Sequence, residues 1–180
     1  MNIRIIAGKF GSLIMKTPRG YITHPMGDRV KGALFNSLID ELPGATVLDA
    51  FSGAGGLGLE AISRGAKHVT FVDRDKNAIK NLKKNIEKLD CHDQATVYRK
   101  GVSSWITSAE QEYDIIFADP PYADMQLSTV EKLFPLLKIK GLMVLSYPGR
   151  GEAPAGTNGV VVVDNRSYGT AALAFYRRER

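Results

Sequence analysis

An acid, two prolines and an aromatic follow one another at Asp119-Pro120-Pro121-Tyr122, directly after the apolar run Tyr113–Ala118. That run has the length and residue types of a buried strand. The four residues therefore sit at a strand's carboxyl end, where open α/β sheets bind ligands. The chemistry that suits them is attack by an exocyclic amino group of a nucleobase. Such a nitrogen has its lone pair delocalised into the ring. Acceptors that bond its hydrogens, here the Asp119 carboxylate and the Pro120 carbonyl, favour a pyramidal, nucleophilic nitrogen. Consecutive prolines fix φ and hold that carbonyl in place at low entropic cost. Tyr122 offers a flat face to a base turned out of its stack. The plainer reading of the same residues is a proline-stiffened turn with Tyr122 partly in the core.

A second set lies upstream, in Asp49-Ala50-Phe51-Ser52-Gly53-Ala54-Gly55-Gly56-Leu57-Gly58. Gly53, Gly55 and Gly58 fit G-x-G-x-x-G between a strand and a helix, a spacing used for nucleotide cofactors. Glycines there admit positive φ and let a ligand approach the backbone closely. Asp49 at the entrance would repel a pyrophosphate held on bare amides. It would welcome a ligand carrying ammonium and sulfonium charges, which favours S-adenosylmethionine over NAD. Asp73 ends the next strand, where an acid can bond both ribose hydroxyls. Read as structure alone, Asp49 is a turn carboxylate and Asp73 or Asp75 a helix cap.

The elements that must position these residues alternate. Residues 3–7 and 12–16 read as two short strands around a turn at Gly8-Lys9-Phe10-Gly11. Pro18, Gly20 and Pro25 mark an irregular linker. A helix with Asp28 as its N-cap follows and ends before Pro43-Gly44. From residue 45 strands are expected at 45–50, 68–72, 95–98, 113–118 and 142–146, and helices at 57–64, 75–89, 103–108 and near 128–137. In the last of these, Ser128 and Glu131 have capping-box spacing. A hairpin of 160–163 and 171–176 closes the chain. This order implies a doubly wound, mostly parallel sheet with helices on both faces. It also implies one domain over 1–180, with residues 1–43 as a basic extension and 44–180 as the core.

Composition narrows the function classes. With 44% hydrophobic and 24% charged residues the chain is ordinary globular, not disordered or repetitive. One cysteine, Cys91, gives no disulfide framework and fits a reducing compartment. No apolar run approaches the roughly 18 residues of a membrane span, so a cytoplasmic protein without a membrane partner is expected. The net charge of +5 is concentrated: residues 1–31 hold six basic residues and one acid, and the rest is balanced. The basic set Arg4, Lys9, Lys16, Arg19, Arg29 and Lys31 reads as a polyanion-binding arm, or else as a solvated hairpin. His24, His68 and His92 are scattered, so no metal site is expected, and Cys91-His92-Asp93 reads as a helix-end turn. Trp105 reads as core, and Arg177, Arg178 and Arg180 as a solvated end.

The order Asp49…Gly53-x-Gly55, Asp73, then Asp119-Pro120-Pro121-Tyr122 resembles a class I S-adenosylmethionine-dependent methyltransferase acting on an exocyclic amine. The flanks are similar to the RsmD family of 16S ribosomal RNA guanine-N2 methyltransferases. They are Arg4-Ile5-Ile6-Ala7-Gly8, Asp28-Arg29-Val30-Lys31 leading to Leu34-Phe35-Asn36, Arg64-Gly65-Ala66, Tyr168-Gly169 and Phe175-Tyr176. The resemblance spans nearly the whole chain. It implies a Rossmann-like seven-stranded sheet with an antiparallel last strand, and an amino-terminal β-hairpin extension that helps engage RNA. It also implies S-adenosylmethionine as cofactor and 16S rRNA of the small ribosomal subunit as partner; a monomer is expected. The cofactor set is then Asp49, Phe51, Gly53, Gly55, Gly58, Asp73, Arg74, Gly101 and Val102, and the catalytic set Asp119, Pro120, Pro121 and Tyr122.

The chain departs from the family pattern at Met26, where a threonine is usual, and at Gly32, where an acid is usual. Lys100-Gly101-Val102 also stands where an Asp or Asn commonly bonds the adenine amine, so adenine recognition is expected from backbone and apolar packing. No role is assigned to residues 149–159. A D-P-P-Y signature also serves adenine-N6 DNA methyltransferases, which usually add a target-recognition domain. A non-catalytic RNA-binding or assembly protein on the same fold is the other alternative, and an NAD oxidoreductase is disfavoured by Asp49.

Overall fold

Strand pairs such as Val47/Leu48, Ile115/Ile116 and Met143/Val144 put consecutive apolar side chains on opposite faces, so their sheet must be covered on both. The computed structural model describes residues 2–17 and 26–180. The expected RNA contact Arg19, the linker markers Pro18, Gly20 and Pro25, and His24 lie outside the described residues.

Two short antiparallel strands, β1 (Asn2–Arg4) and β2 (Ile14–Lys16), form the amino-terminal arm, followed by α1 (Asp28–Ser37). The core runs β3 (Thr46–Ala50), α2 (Gly56–Ser63), β4 (His68–Asp73), α3 (Lys76–Leu89), β5 (Ala95–Arg99), α4 (Val102–Ile106) and β6 (Tyr113–Ala118). It continues with α5 (Leu127–Glu131), β7 (Leu137–Pro148), β8 (Val160–Tyr168) and β9 (Ala171–Arg178). The sheet order is β5-β4-β3-β6-β7-β9-β8, with β3 to β7 parallel and β9 antiparallel to both its neighbours. This is the expected seven-stranded sheet. The arm, α1, α2 and α3 cover one face, and α4 and α5 the other. Strand order reverses between β3 and β6, which places a crevice beyond their carboxyl ends.

Local departures from the expected elements have physical reasons. The first strand stops at Arg4 because the amides of Ile6 and Ala7 bond the Glu60 carboxylate on α2, at 2.8 and 3.1 Å, instead of continuing the ladder. Gly8 then passes so close to α2 that a Cβ would lie 2.0 Å from the Ser63 carbonyl oxygen, and its φ is +86°. Asp28 is the first helical residue and pairs with Arg4 at 3.8 Å; Gly27 occupies the N-cap without a side-chain bond. α5 is shorter than expected and has no capping box, since it enters through Gln126 at φ 48°. β7 begins five residues early and carries an irregularity opposite Tyr113–Ile115, where Lys140 has φ 68°. Two of the three carboxy-terminal arginines are anchored rather than loose, Arg177 pairing with Glu41 at 2.5 Å and Arg178 with Glu112 at 3.3 Å, while Arg180 is exposed. Trp105 is buried, and His92–Gln94 form one 3-10 turn after α3.

Candidate active site

The site acids are delivered by the ends of central strands, and Gly101 and Val102 by the end of edge strand β5. Asp49 lies near the end of β3, fully buried, with Oδ2 accepting the Gly58 amide at 2.8 Å. That contact explains Gly58: a Cβ there would meet Phe71 Cε1 at 2.2 Å and Asp49 Oδ2 at 2.9 Å. Gly55 turns the chain into α2 at φ +94°. Phe51 holds φ 59°, a left-handed conformation that a side chain adopts only at a cost of about 1–3 kcal/mol. Asp73, at the end of β4, accepts the Gly53 amide on Oδ2 and the Asp75 amide on Oδ1, both at 2.8 Å. Each of its oxygens keeps a lone pair for a further donor.

Beyond β6, Asp119 to Tyr122 line a cavity of about 600 Å³. Asp49, Phe51, Gly53 and Ser146 line it as well, with Ile3, Met26, Val30 and Tyr168 from the arm, α1 and the β8–β9 end. A recess of about 50 Å³ adjoins it, bounded by Phe51, Asp73, Arg74, Gly101, Val102, Asp119, Pro121 and Gln126. Phe51, Asp119 and Pro121 border both. The expected cofactor and catalytic residues thus converge on one connected region, with Gly55 and Gly58 as scaffolding behind it. Asp73, Arg74, Gly101 and Val102 gather at the recess, with Asp49 and Gly53 on the larger cavity.

Electrostatics identify the kind of ligand. Burial raises the Asp49 carboxyl well above its ordinary value, the Gly58 amide opposes this, and Asp119 and Asp73 push it further up. Asp73 is raised by burial against the pull of the Asp75 and Gly53 amides. Asp119 is raised to about 6 by burial, opposed by a hydrogen bond from Ser146. Three acids crowd one cleft, and among the described residues none is held in an ion pair. A cationic ligand would relieve all three, and S-adenosylmethionine fits the charge, the glycine cradle and the two-part cavity. Among the described residues no cluster of three His, Cys, Asp or Glu is placed to hold a metal, and no helix is long and apolar enough to cross a membrane.

Sequence reasoning missed two residues, one in the site and one that fastens the arm to α2. Ser146, buried at the end of β7, lies 2.8 Å from the Tyr122 hydroxyl and hydrogen-bonds Asp119. Its signal was present: it is the last residue of the strand expected at 142–146, on the ligand-binding edge. Glu60 is fully buried on α2 and had no sequence signal beyond an acid in an apolar helix. It accepts Arg64 Nε at 2.9 Å and pairs with Lys31 at 3.6 Å. Lys31 also donates to the Arg4 carbonyl. The structure therefore revises its expected RNA role: the side chain is 3% exposed and fastens the arm to α2. Arg4, Lys9, Lys16 and Arg29 remain on the surface, with Lys9 Nζ donating to Gln94 at 3.0 Å.

Residues 3–177 match the family model described as Conserved hypothetical protein 95, which corresponds to the RsmD family. The chain belongs to the RsmD family. Ribosomal RNA small subunit methyltransferase D of Haemophilus influenzae is 38% identical over 67% of this chain and 64% of its own length. YlbH of Bacillus subtilis, which bears an rRNA methyltransferase name, is 34% identical over 98% of this chain and 99% of its own. The solved structure of Escherichia coli yhhF, named as a methyltransferase, is 28% identical. It superposes with a TM-score of 0.89, covering 100% of this chain and 99% of that one. The RsmD-family match takes in the arm as well as the core, so β1, β2 and α1 belong to the shared architecture.

Proposed function

We propose that the protein transfers the methyl group of S-adenosylmethionine to the exocyclic N2 amine of a guanine in 16S ribosomal RNA. The observation that carries this reading is the pairing of Asp119 and Tyr122 through Ser146 on the wall that also holds Asp49 and Gly53. An acceptor and an aromatic face stand beside an anionic, glycine-lined cleft. The names of the Haemophilus influenzae and Bacillus subtilis relatives support an rRNA substrate.

When bound, the cofactor supplies a methyl group already activated on a sulfonium, so the protein's task is positioning and electrostatics. Asp49 would face the cofactor's cationic end, Asp73 would offer its free lone pairs to the ribose, and Gly101 and Val102 would bound the adenine side. Asp119 and the Pro120 carbonyl accept the hydrogens of the incoming amine and turn its lone pair toward the reacting carbon. Tyr122, 40% exposed, presents its ring for stacking while its hydroxyl is tied to Ser146. The amine's proton leaves toward solvent through Asp119 as charge develops on nitrogen.

The test is transfer of labelled methyl to naked 16S rRNA and to unmodified small subunits, followed by nucleoside analysis. N2-methylguanosine is the expected product. Label found in adenine of duplex DNA, or cofactor binding with no transfer to either RNA substrate, overturns the substrate assignment.

A further inference from the structure

By sequence window the chain beyond residue 31 is electrically balanced, but folding does not leave it so. The helix α3 carries Lys76, Lys80, Lys83, Lys84 and Lys88 against a single acid, Glu87. At about 100° per residue the five lysines fall within one arc of roughly 140°, opposite the buried Ala78, Ile79, Leu82, Asn85, Ile86 and Leu89. All five are exposed, and among the described residues none forms an ion pair. Lysines that serve only as a solvated helix face are usually interleaved with acids at i±4. Here four of them step at i+4, and Glu87, i+4 from Lys83 and on the same arc, is the one acid set among the five within α3.

The arm is latched onto this helix. Asn85 donates to the Lys16 carbonyl at 3.3 Å and Lys88 Nζ to the Ile14 carbonyl at 3.1 Å. β2 therefore runs beside the lysine face, and exposed Lys16 joins it. At its other end α3 starts three residues after Asp73, at the cofactor recess. One cationic surface thus leads from the arm to the site's rim.

We propose that the lysine face of α3 is a phosphodiester-binding surface that extends the arm's contact with RNA. The proposal rests on the function above and adds a segment that the charge distribution along the sequence had hidden. Its partner is the RNA backbone rather than a base, since ammonium groups on flexible stems bind phosphate as point charges.

The test compares Lys80→Gln/Lys83→Gln/Lys84→Gln with wild type, using a 16S rRNA transcript as probe; glutamine preserves helix propensity. A charge-matched control, Lys132→Gln/Lys138→Gln/Lys140→Gln, removes cations at the far end of β7 and its approach. In the α3 variant the slope of log affinity against log salt should shrink by about three, and RNA KM should rise roughly tenfold at fixed salt. Its kcat and S-adenosylmethionine affinity should be unchanged, and the control should match wild type. If wild type methylates the transcript and the α3 variant keeps its salt slope and KM, the surface is overturned while the function stands. Equal losses in both triple variants also overturn it, as a net-charge effect. If wild type neither binds nor methylates the RNA, the proposed function fails and takes the surface with it.

Discussion

Ser146 Oγ lies 2.8 Å from the Tyr122 hydroxyl and also hydrogen-bonds the Asp119 carboxylate. A serine hydroxyl has one proton to give. Donated to Asp119, it leaves Oγ to accept from Tyr122, so one side chain sets both the acceptor's direction and the position of the aromatic ring. Ser146 can do this because β7 pairs with β6 in parallel register, Ala118 opposite Leu145, which brings the two strand ends side by side.

Ser146→Ala should therefore act on chemistry more than on folding. Loss of about 1 kcal/mol of hydrogen bonding corresponds to roughly a fivefold fall in kcat. Because the Ser146 bond favours the ionised form of Asp119, the acidic limb of the pH–rate profile should move upward. Cofactor affinity should hold. A variant with lowered kcat but an unmoved limb would show that Ser146 only supports the ring.

Asp119→Asn keeps the volume and one acceptor oxygen but removes the charge that steadies the developing ammonium. By analogy with removal of one preorganised electrostatic partner, kcat should fall about 10²–10³-fold. Dissociation constants for S-adenosylmethionine, measured by calorimetry, should change little, since the proposed cofactor contacts are Asp49 and Asp73. Equal losses in binding and turnover would contradict this division of roles.

The raised carboxyls make a signed prediction. Asp119 steadies the developing ammonium and takes its proton only when ionised, so kcat/KM should fall about tenfold per pH unit below its value of about 6 and level off above it. The same acids bear on stability. A carboxyl raised on folding binds protons more tightly in the folded chain, so stability is lost as pH rises through the folded value. Between about pH 4 and pH 6 the ligand-free protein should lose melting temperature through Asp119, and Asp49 and Asp73, raised in the same direction, add to that loss. A bound cation relieves that repulsion, so the thermal shift produced by S-adenosylmethionine should be larger at pH 8 than at pH 5. A pH-independent shift would count against the acids as its cationic partners.

Most of this architecture was legible because its signals are local. Alternating apolar runs give the strands, Gly53 to Gly58 give the loop, and Asp119 to Tyr122 sit where a parallel strand must end. What escaped depends on non-local closure. Ser146 matters through a neighbour 24 residues away, and Lys31 and Glu60 are joined across 29 positions. Lys31 looked like one more cation of the arm, yet its ammonium is buried. The α3 lysines looked neutralised because acids elsewhere in the chain balance them in sequence but not in space. The early start of β7 lies in Lys138-Ile139-Lys140-Gly141, to which no element was assigned, between the expected helix near 128–137 and the strand 142–146. Gly141 is needed there because a Cβ would come within 2.8 Å of the Lys138 carbonyl oxygen.

The Glu60 cluster supplies the last prediction. Its carboxylate holds two arm amides, Arg64 and Lys31, so it joins the arm to the helix that begins at the glycine loop. Glu60→Gln leaves the Lys31 ammonium buried without a counter-charge, a change that typically costs about 3–5 kcal/mol. For a chain of this size that is a fall of about 10 °C in melting temperature. Lys31→Met should cost less, because Glu60 keeps Arg64 and both amides. Combining Lys31→Met with Glu60→Gln should recover part of the loss, giving a coupling of about 1–3 kcal/mol in a double-mutant cycle. Additive losses would mean that the pair acts independently. RNA KM should rise in Glu60→Gln as the arm loosens, while S-adenosylmethionine affinity, proposed to rest on Asp49 and Asp73, should be retained in protein that remains folded.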